Sequence, residues 1–288
     1  MNKKVIAVVG ATASGKSAYA IKLAKQLGGE IISADSRLVY KNMDIGTAKP
    51  SIEEREGVPH YMIDVVEPNF DYSAGLYAKE AKICIDKILL KGKIPIIAGG
   101  TGLYFRLLLE NYNIPSVSPN KELRKVLNNM SFLELYDMLS KLDNDAAKLV
   151  EANDKKKIIR YIEIVKTTGL PLSKSRGIKE NEYDIEWIGL NFPREVLYDR
   201  INKRVDKMIE NGLIDETKFL IKKYGHIPNI VDTIGYREII EVLDEKASLD
   251  EAVVKLKQNT RNYAKRQLTW FRKNSLIHWN HYPEKKKK

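Results

Sequence analysis

Eight consecutive residues, Gly10-Ala11-Thr12-Ala13-Ser14-Gly15-Lys16-Ser17, fit the pattern G-x-x-x-x-G-K-[ST] in full. Each residue type has a physical use there. Glycines at Gly10 and Gly15 permit backbone conformations that other residues avoid, so successive N–H groups can turn inward around a phosphate. A helix starting at Lys16 adds the positive end of its dipole. The Lys16 ammonium supplies a mobile charge, and the Ser17 hydroxyl is a hard oxygen suited to Mg²⁺. The run therefore predicts a site for a di- or triphosphate, with residues 10–17 as its ligands.

Holding a phosphate does not say what reacts. A P-loop ATPase needs a carboxylate after a second apolar strand to organise Mg²⁺ and water. The best strand of that kind, 94–98, runs into Gly99-Gly100-Thr101 without one, and Asp64 in Met62-Ile63-Asp64-Val65 is a weaker candidate. The acid best placed for chemistry is Asp35, directly after the apolar run 30–34. In a parallel sheet the carboxyl ends of the strands face the same crevice as the phosphate loop, so Asp35 and Thr101 are both expected to look into the Lys16 pocket. Taken alone, Asp35 also suits a turn or a helix cap. His60 and His226 have no partner at ligand spacing, and no metal is assigned to them.

The elements that must carry these residues alternate. Residues 4–9 read as a strand and 16–27 as a helix (Ala20, Leu23, Ala24, Leu27) ended by Gly28-Gly29. Further strands are expected at 30–34, 61–66 and 94–98, with helices at 73–91 (Ser73 as N-cap, Gly92 as stop) and 103–110. This rhythm implies an α/β fold, a P-loop NTPase-like parallel sheet flanked by helices. Prolines and serines crowd 113–119, and 122–168 is helical in pattern until Gly169-Leu170-Pro171. Strand texture returns at 185–192, and Pro193 opens a helix through 209. The expected division is a core of 1–115 and 185–288, ending in basic helices, with a helical insertion at 116–184.

Composition excludes several classes. The 288 residues are 43% hydrophobic and 30% charged, an ordinary globular mix. No apolar run approaches the ~18 residues needed to cross a bilayer, and the short run after Lys3-Lys4 is no signal peptide. The single cysteine, Cys84, excludes an internal disulfide and a Cys-built zinc site, which suits the cytoplasm. Of the net charge of +11, +10 lies in the last 34 residues, where eleven Lys and Arg meet Glu284 alone. A basic end on a neutral body predicts a polyanionic partner. Within it Arg261, Lys265, Thr269 and Arg272 form one polar helical stripe, while Tyr263, Gln267, Trp270 and Phe271 are expected to pack on the core.

The phosphate loop, Ser33-Ala34-Asp35-Ser36 with Tyr40, Met43-Asp44-Ile45-Gly46-Thr47-Ala48-Lys49-Pro50, Pro59-His60, Tyr72-Ser73-Ala74 and Gly99-Gly100-Thr101-Gly102-Leu103-Tyr104 together resemble the tRNA dimethylallyltransferase (tRNA isopentenyltransferase) family. So do Gly235-Tyr236-Arg237 and Lys265-Arg266-Gln267-Leu268-Thr269-Trp270-Phe271-Arg272. The likeness spans essentially the whole chain and is to the bacterial form, without the carboxy-terminal zinc finger of many eukaryotic members. It implies transfer of a dimethylallyl group from dimethylallyl diphosphate to N6 of the adenosine 3′-adjacent to the anticodon. Lys16, the loop amides and Mg²⁺ at Ser17 would neutralise the leaving diphosphate. Asp35 would accept the amine proton, and Thr101 would hydrogen-bond near the reacting amine.

The resemblance further implies that the anticodon stem-loop of tRNA is the partner and that its target base is flipped into the pocket. The tRNA-contacting positions it implies are Asp35, Ser36, Arg37 and Leu38, Thr101, and Arg124 in the insertion. They continue with Lys156, Lys157, Ile158, Ile159 and Arg160, with Thr233, Ile234, Gly235, Tyr236 and Arg237, and with the eight residues from Lys265 to Arg272. Lys157 stands where many members have an Arg, keeping the charge but losing the bidentate fork. A monomer is expected. A small-molecule P-loop kinase also accounts for the loop and Asp35, but leaves the basic end and the insertion without a use. A GTPase-like switch lacks its guanine-reading N-K-x-D motif: Asn202-Lys203 has Asp206 at the wrong offset.

Overall fold

A computed structural model describes residues 3–110, 117, 119–151, 153–172 and 182–282. Most of the proline- and serine-rich stretch expected at 113–119, position 116 included, and the terminal lysines 285–288 lie outside the described residues. The chain divides into two compact units, 1–108 with 182–288, and 109–181.

The first unit is built on a six-stranded, wholly parallel sheet in the order β3-β2-β4-β1-β5-β6. Its strands are β1 (Lys4–Gly10), β2 (Glu30–Ala34), β3 (His60–Tyr61), β4 (Pro95–Gly99), β5 (Asp184–Asn191) and β6 (His278–His281). The two central strands are apolar from Val5 to Gly10 and from Pro95 to Gly99 because helices cover both faces, and Val5 to Val9 are wholly buried. Helix α1 (Lys16–Leu27) lays Ala20, Ile21 and Ala24 on Ile6, Val8, Ile31 and Ile96. Helix α2 (Ala74–Leu90) is capped by Ser73, whose hydroxyl accepts the Leu76 N–H at 3.1 Å, and α3 (Gly102–Leu109) follows β4. Tyr77 of α2 stacks on Tyr104 of α3 at 3.7 Å between ring centres.

The strand expected at 61–66 is shorter than its composition suggests. Met62 (φ 63°) and Asp64 (φ 55°) take left-handed conformations, so pairing stops after Tyr61, and Val66 makes only an isolated bridge to Tyr40. Strand β6 was not anticipated: His-Trp-Asn-His is polar, and it pairs only with β5, at the sheet edge.

The second unit has its own core. It contains α4 (Lys121–Asn128), α5 (Phe132–Leu142), α6 (Asn144–Lys148) and α7 (Lys155–Thr168). Ser131 and Glu134 form a capping box at the start of α5, and Gly169 ends α7 in the left-handed conformation. Leu127, Leu135, Leu139, Ile158, Ile162 and Leu172 pack together.

The chain returns to the first unit through β5 and then α8 (Arg194–Glu210), α9 (Leu213–Tyr224), α10 (Pro228–Val231), α11 (Tyr236–Leu243) and α12 (Leu249–Phe271). These helices gather Val205, Leu213, Leu220, Tyr236, Ile239 and Leu256 around Val39, Tyr40 and Met43, the segment that follows β2. That packing brings the carboxy-terminal helices over the phosphate loop. No helix among the described residues is long and apolar enough to cross a membrane.

Candidate active site

The site forms at the carboxyl ends of the strands of the first unit, in a cleft of about 790 Å³. Strand β1 ends at Gly10 and α1 starts at Lys16, so residues 11–15 must reverse the chain in one tight loop. Gly15 does this at φ 82°, and Ala13 at φ 61°, a left-handed conformation in which a non-glycine residue is strained. Ser14 Oγ is buried and has no hydrogen-bond partner among the described residues, a donor free for a ligand oxygen. The Lys16 ammonium folds back and donates to the Ala11 carbonyl at 2.7 Å.

Burial first, and nearby Arg204 after it, push the Lys16 pKa down to about 8, with Asp35 working against both. Arg204 projects from α8, lines the same cleft, and donates to Thr12 Oγ1 at 3.3 Å. Burial lowers its pKa as well. Two cations held in a partly desolvated loop favour an anionic ligand, because an anion restores what each lost on leaving water. Arg200, one helical turn before Arg204, approaches Gly15 and lies over the Phe192 ring at 4.2 Å. Their four-residue spacing in an expected helix puts the two arginines on one face, but does not mark that face as the partner of the phosphate loop.

Asp35 follows β2 and lines the cleft. Its Oδ1 accepts the Arg37 N–H at 2.9 Å, so it is a turn former and a cleft carboxylate at once. Thr101 sits beside the cleft, and its hydroxyl accepts the Ser36 N–H at 3.0 Å while its own N–H reaches Ala34 O at 3.1 Å. The loops after β2 and β4 are thereby joined. Tyr263 of α12 lines the cleft, and burial raises its phenol pKa, with Asp35 adding to the shift and hydrogen bonds to Thr101 and Gln267 opposing it. The expectation that Tyr263 is a core residue is corrected accordingly. Ser17, exposed in the first turn of α1, offers a hydroxyl of the kind Mg²⁺ accepts.

The loop 43–50 walls the cleft with Gly46, Thr47, Ala48 and Pro50. Sequence reasoning missed what holds it. The Glu216 carboxylate of α9 accepts the N–H groups of Asp44 (3.1 Å), Ile45 (2.8 Å) and Gly46 (2.9 Å), and also the Tyr236 hydroxyl (2.7 Å). Gly46 must lack a side chain, since a Cβ would lie 2.6 Å from the Tyr236 ring. Lys49 is almost wholly buried and pairs with Asp44 at 2.6 Å and with Asp64.

The remaining positions divide by burial. Ser36, Arg37, Leu38, Thr233, Ile234, Arg237, Arg266 and Gln267 line the cleft, and Arg37 reaches toward Asn229 at 3.5 Å. Lys265 and Thr269 are exposed on α12, and Arg272 is exposed at its C-cap. Gly235, Tyr236 and Phe271 are buried, the two rings holding the core rather than facing a partner. Leu268 is half-buried. Trp270, expected inside, is 42% exposed, because α12 turns that side chain out beside the start of α3. Arg261 leaves the expected stripe: it bonds Asn202 Oδ1 at 2.8 Å and lies over Tyr198.

In the helical unit, Arg124 and Arg160 both bind the wholly buried Glu163, Arg124 through Nε (2.9 Å) and Nη2 (2.8 Å). Both guanidinium groups remain about one-third exposed. Lys156 is exposed, Lys157 donates to the Leu149 carbonyl at 2.8 Å, and Ile158 and Ile159 belong to that unit's core.

Comparison with known proteins adds a family. A model described as IPP transferase matches residues 38–274, and one described as isopentenyl transferase matches residues 3–70. The tRNA dimethylallyltransferase of Carboxydothermus hydrogenoformans is 47% identical, with 97% of this chain and 92% of that protein covered. The one from Halalkalibacterium halodurans is 42% identical, covering 97% and 91%. Among solved structures, the full-length tRNA isopentenylpyrophosphate transferase from Bacillus halodurans superposes with a TM-score of 0.74 at 40% identity, covering 97% of this chain and 90% of that one. A eukaryotic dimethylallyltransferase described as acting on tRNA gives a TM-score of 0.86 at 31% identity, covering 97% and 74%.

Proposed function

Because the chain belongs to the IPP transferase family, we propose that it transfers the dimethylallyl group of dimethylallyl diphosphate to N6 of the adenosine 3′-adjacent to the anticodon of tRNA. One observation carries this reading: a phosphate loop bearing Lys16, with Arg204 of α8 beside it, shares a single cleft with the Asp35 carboxylate. Cations suit a leaving diphosphate, and the carboxylate suits an amine that must lose a proton.

In the reaction the N6 lone pair forms a bond to C1 of the dimethylallyl group while the C1–O bond breaks, and the electron pair leaves with the diphosphate. Lys16, Arg204 and the loop N–H groups stabilise the negative charge growing on that oxygen. Asp35 accepts the N6 proton. Its bond from the Arg37 N–H keeps one oxygen oriented. Thr101 braces the Asp35 turn by accepting the Ser36 N–H. The exposed Ser17 hydroxyl would hold Mg²⁺, which would supply further charge neutralisation. No water needs activation, so a second acidic strand end of the ATPase kind has no task here.

The target base is stacked in its loop and must be extruded to reach Asp35. We assign the exposed Lys265 of α12 and Arg272 at its C-cap, with Arg266 at the cleft, to the RNA backbone, and likewise Arg124 and Arg160 of the helical unit 109–181. A kinase reading would leave these groups idle.

The test is to incubate the chain with labelled dimethylallyl diphosphate, Mg²⁺ and an unmodified tRNA transcript, then digest the RNA. Label on N6-dimethylallyladenosine, absent when the acceptor adenosine is changed to guanosine, is the expected result. Transfer of phosphate from ATP to a small molecule, with no label in RNA, would overturn it.

A further inference from the structure

Gln267 sits on the inner face of α12 and is 5% exposed. Its side-chain amide bridges two loops and also hydrogen-bonds Tyr263. Oε1 accepts the Thr12 N–H of the phosphate loop at 2.8 Å, and Nε2 donates to the Gly100 carbonyl at 3.0 Å, in the loop that carries Thr101. The orientation is forced, because an N–H can meet only the amide oxygen and a carbonyl only the amide nitrogen. The fit is close: a Cβ on Gly100 would lie 2.1 Å from Gln267 Nε2. No other hydrogen bond between side chain and backbone described above joins these two loops.

We propose that Gln267 is a positioning residue: its amide fixes the distance between the diphosphate-binding loop and the loop of Thr101, the spacing on which prenyl transfer depends. The inference rests on the transfer reading, because the two loops must hold the leaving group and the acceptor of one reaction. It differs from the role that the family resemblance implies for this position. A side chain that is 5% exposed, with both polar atoms already bonded inside the protein, is not presented to RNA, so tRNA is held by the outward neighbours Lys265, Thr269 and Arg272.

Losing the amide would free the Thr12 N–H and the Gly100 carbonyl beside the cleft, where a shift of about 1 Å costs ~10² in rate. Glutamate makes a reversible test. A neutral carboxylic acid can reproduce both bonds, its C=O accepting from Thr12 and its O–H donating to Gly100. The carboxylate cannot donate, and burial against a carbonyl favours the neutral form, raising its pKa above the ordinary ~4.3.

The experiment compares wild type, Gln267→Met and Gln267→Glu for kcat, for KM of dimethylallyl diphosphate, for tRNA affinity by filter binding, and for Tm. Gln267→Met is expected to lower kcat/KM for the diphosphate by ~10² with tRNA affinity unchanged. Gln267→Glu is expected to be equally poor at pH 8 and to recover at least ~10-fold relative to wild type at pH 6, a recovery that Met does not show. Weakened tRNA affinity with an unchanged KM for the diphosphate would make Gln267 an RNA contact and overturn the proposal. So would wild-type kinetics in both variants, or a failure of both to fold, which would make the residue a structural bolt. Absence of any transfer by the wild type would instead overturn the underlying function.

Discussion

Raising the pH from 7 to 9 should loosen the hold on a diphosphate ester about tenfold, and Lys16 is the reason. With its pKa lowered to about 8, the free protein carries the Lys16 charge in about nine molecules of ten at pH 7 and about one in ten at pH 9. A bound diphosphate favours the ammonium and raises that pKa, so binding takes up protons and is favoured at the low-pH end. The terminal phosphate of the ligand loses its last proton near pH ~6, so its own charge is constant over this range. Arg204 remains a guanidinium throughout.

The assay is calorimetric titration with an unreactive thio analogue of dimethylallyl diphosphate in buffers of different ionisation enthalpy. Log Kd should rise toward one unit per pH unit above pH 8, with uptake of about half a proton at pH 8. Lys16→Arg stays charged and should bind with no such slope. A wild-type Kd that is flat from pH 7 to 9, or the same slope in Lys16→Arg, would refute the assignment of the charge to Lys16.

Asp35→Asn preserves the turn but cannot take a proton, so kcat in single-turnover transfer should fall by ~10²–10⁴ at unchanged tRNA affinity; survival of activity would leave Asp35 a turn former only. Binding of tRNA should weaken steeply with salt, with a log–log slope near −0.7 per phosphate contact, and Lys265→Ala or Arg272→Ala should each flatten it by about that amount, as filter binding across a salt series would reveal. Glu216→Ala strands the N–H groups of Asp44, Ile45 and Gly46 with the Tyr236 hydroxyl, and should cost about 2–3 kcal/mol in chemical denaturation; an unchanged midpoint would remove Glu216 as the loop's clasp.

What could be read from sequence was what is local or imposed by topology. The phosphate loop is contiguous, and its glycine spacing is itself the geometry, so Gly10 to Ser17 were legible directly. Asp35 was legible because a parallel sheet delivers every strand end to one crevice. Arg204 and Glu216 were not, since each acts on a loop 170 or more residues away and nothing in its neighbourhood marks the pairing. Helical periodicity put Gln267 and Phe271 inside, where they lie, but also put Trp270 there, because a wheel cannot say how wide the covered arc is. Strand β3 is cut short by two left-handed residues, of which Met62 carries no such signal and Asp64 only a weak one. In the helical unit Arg124 and Arg160 were singled out only by the family resemblance, and the buried Glu163 that both bind was invisible as one acid among many on a polar helix.

The order of the strands has a consequence for synthesis. Strand β1 emerges from the ribosome first, but one of its two neighbours, β5, begins at Asp184, with Lys4 paired to Asp184 and Gly10 to Leu190. Until some 190 residues have been made, a fully apolar strand has one open edge, the arrangement most prone to pairing with a neighbouring nascent chain. Residues 109–181, whose core joins partners close in sequence, can collapse as soon as they are extruded. The slow step in maturation is then the late docking of β5 beside β1, and the phosphate loop between β1 and α1 gains its Arg204 partner only afterwards. A chain truncated before residue 184 and released from the ribosome should therefore hold a folded helical unit and no diphosphate site.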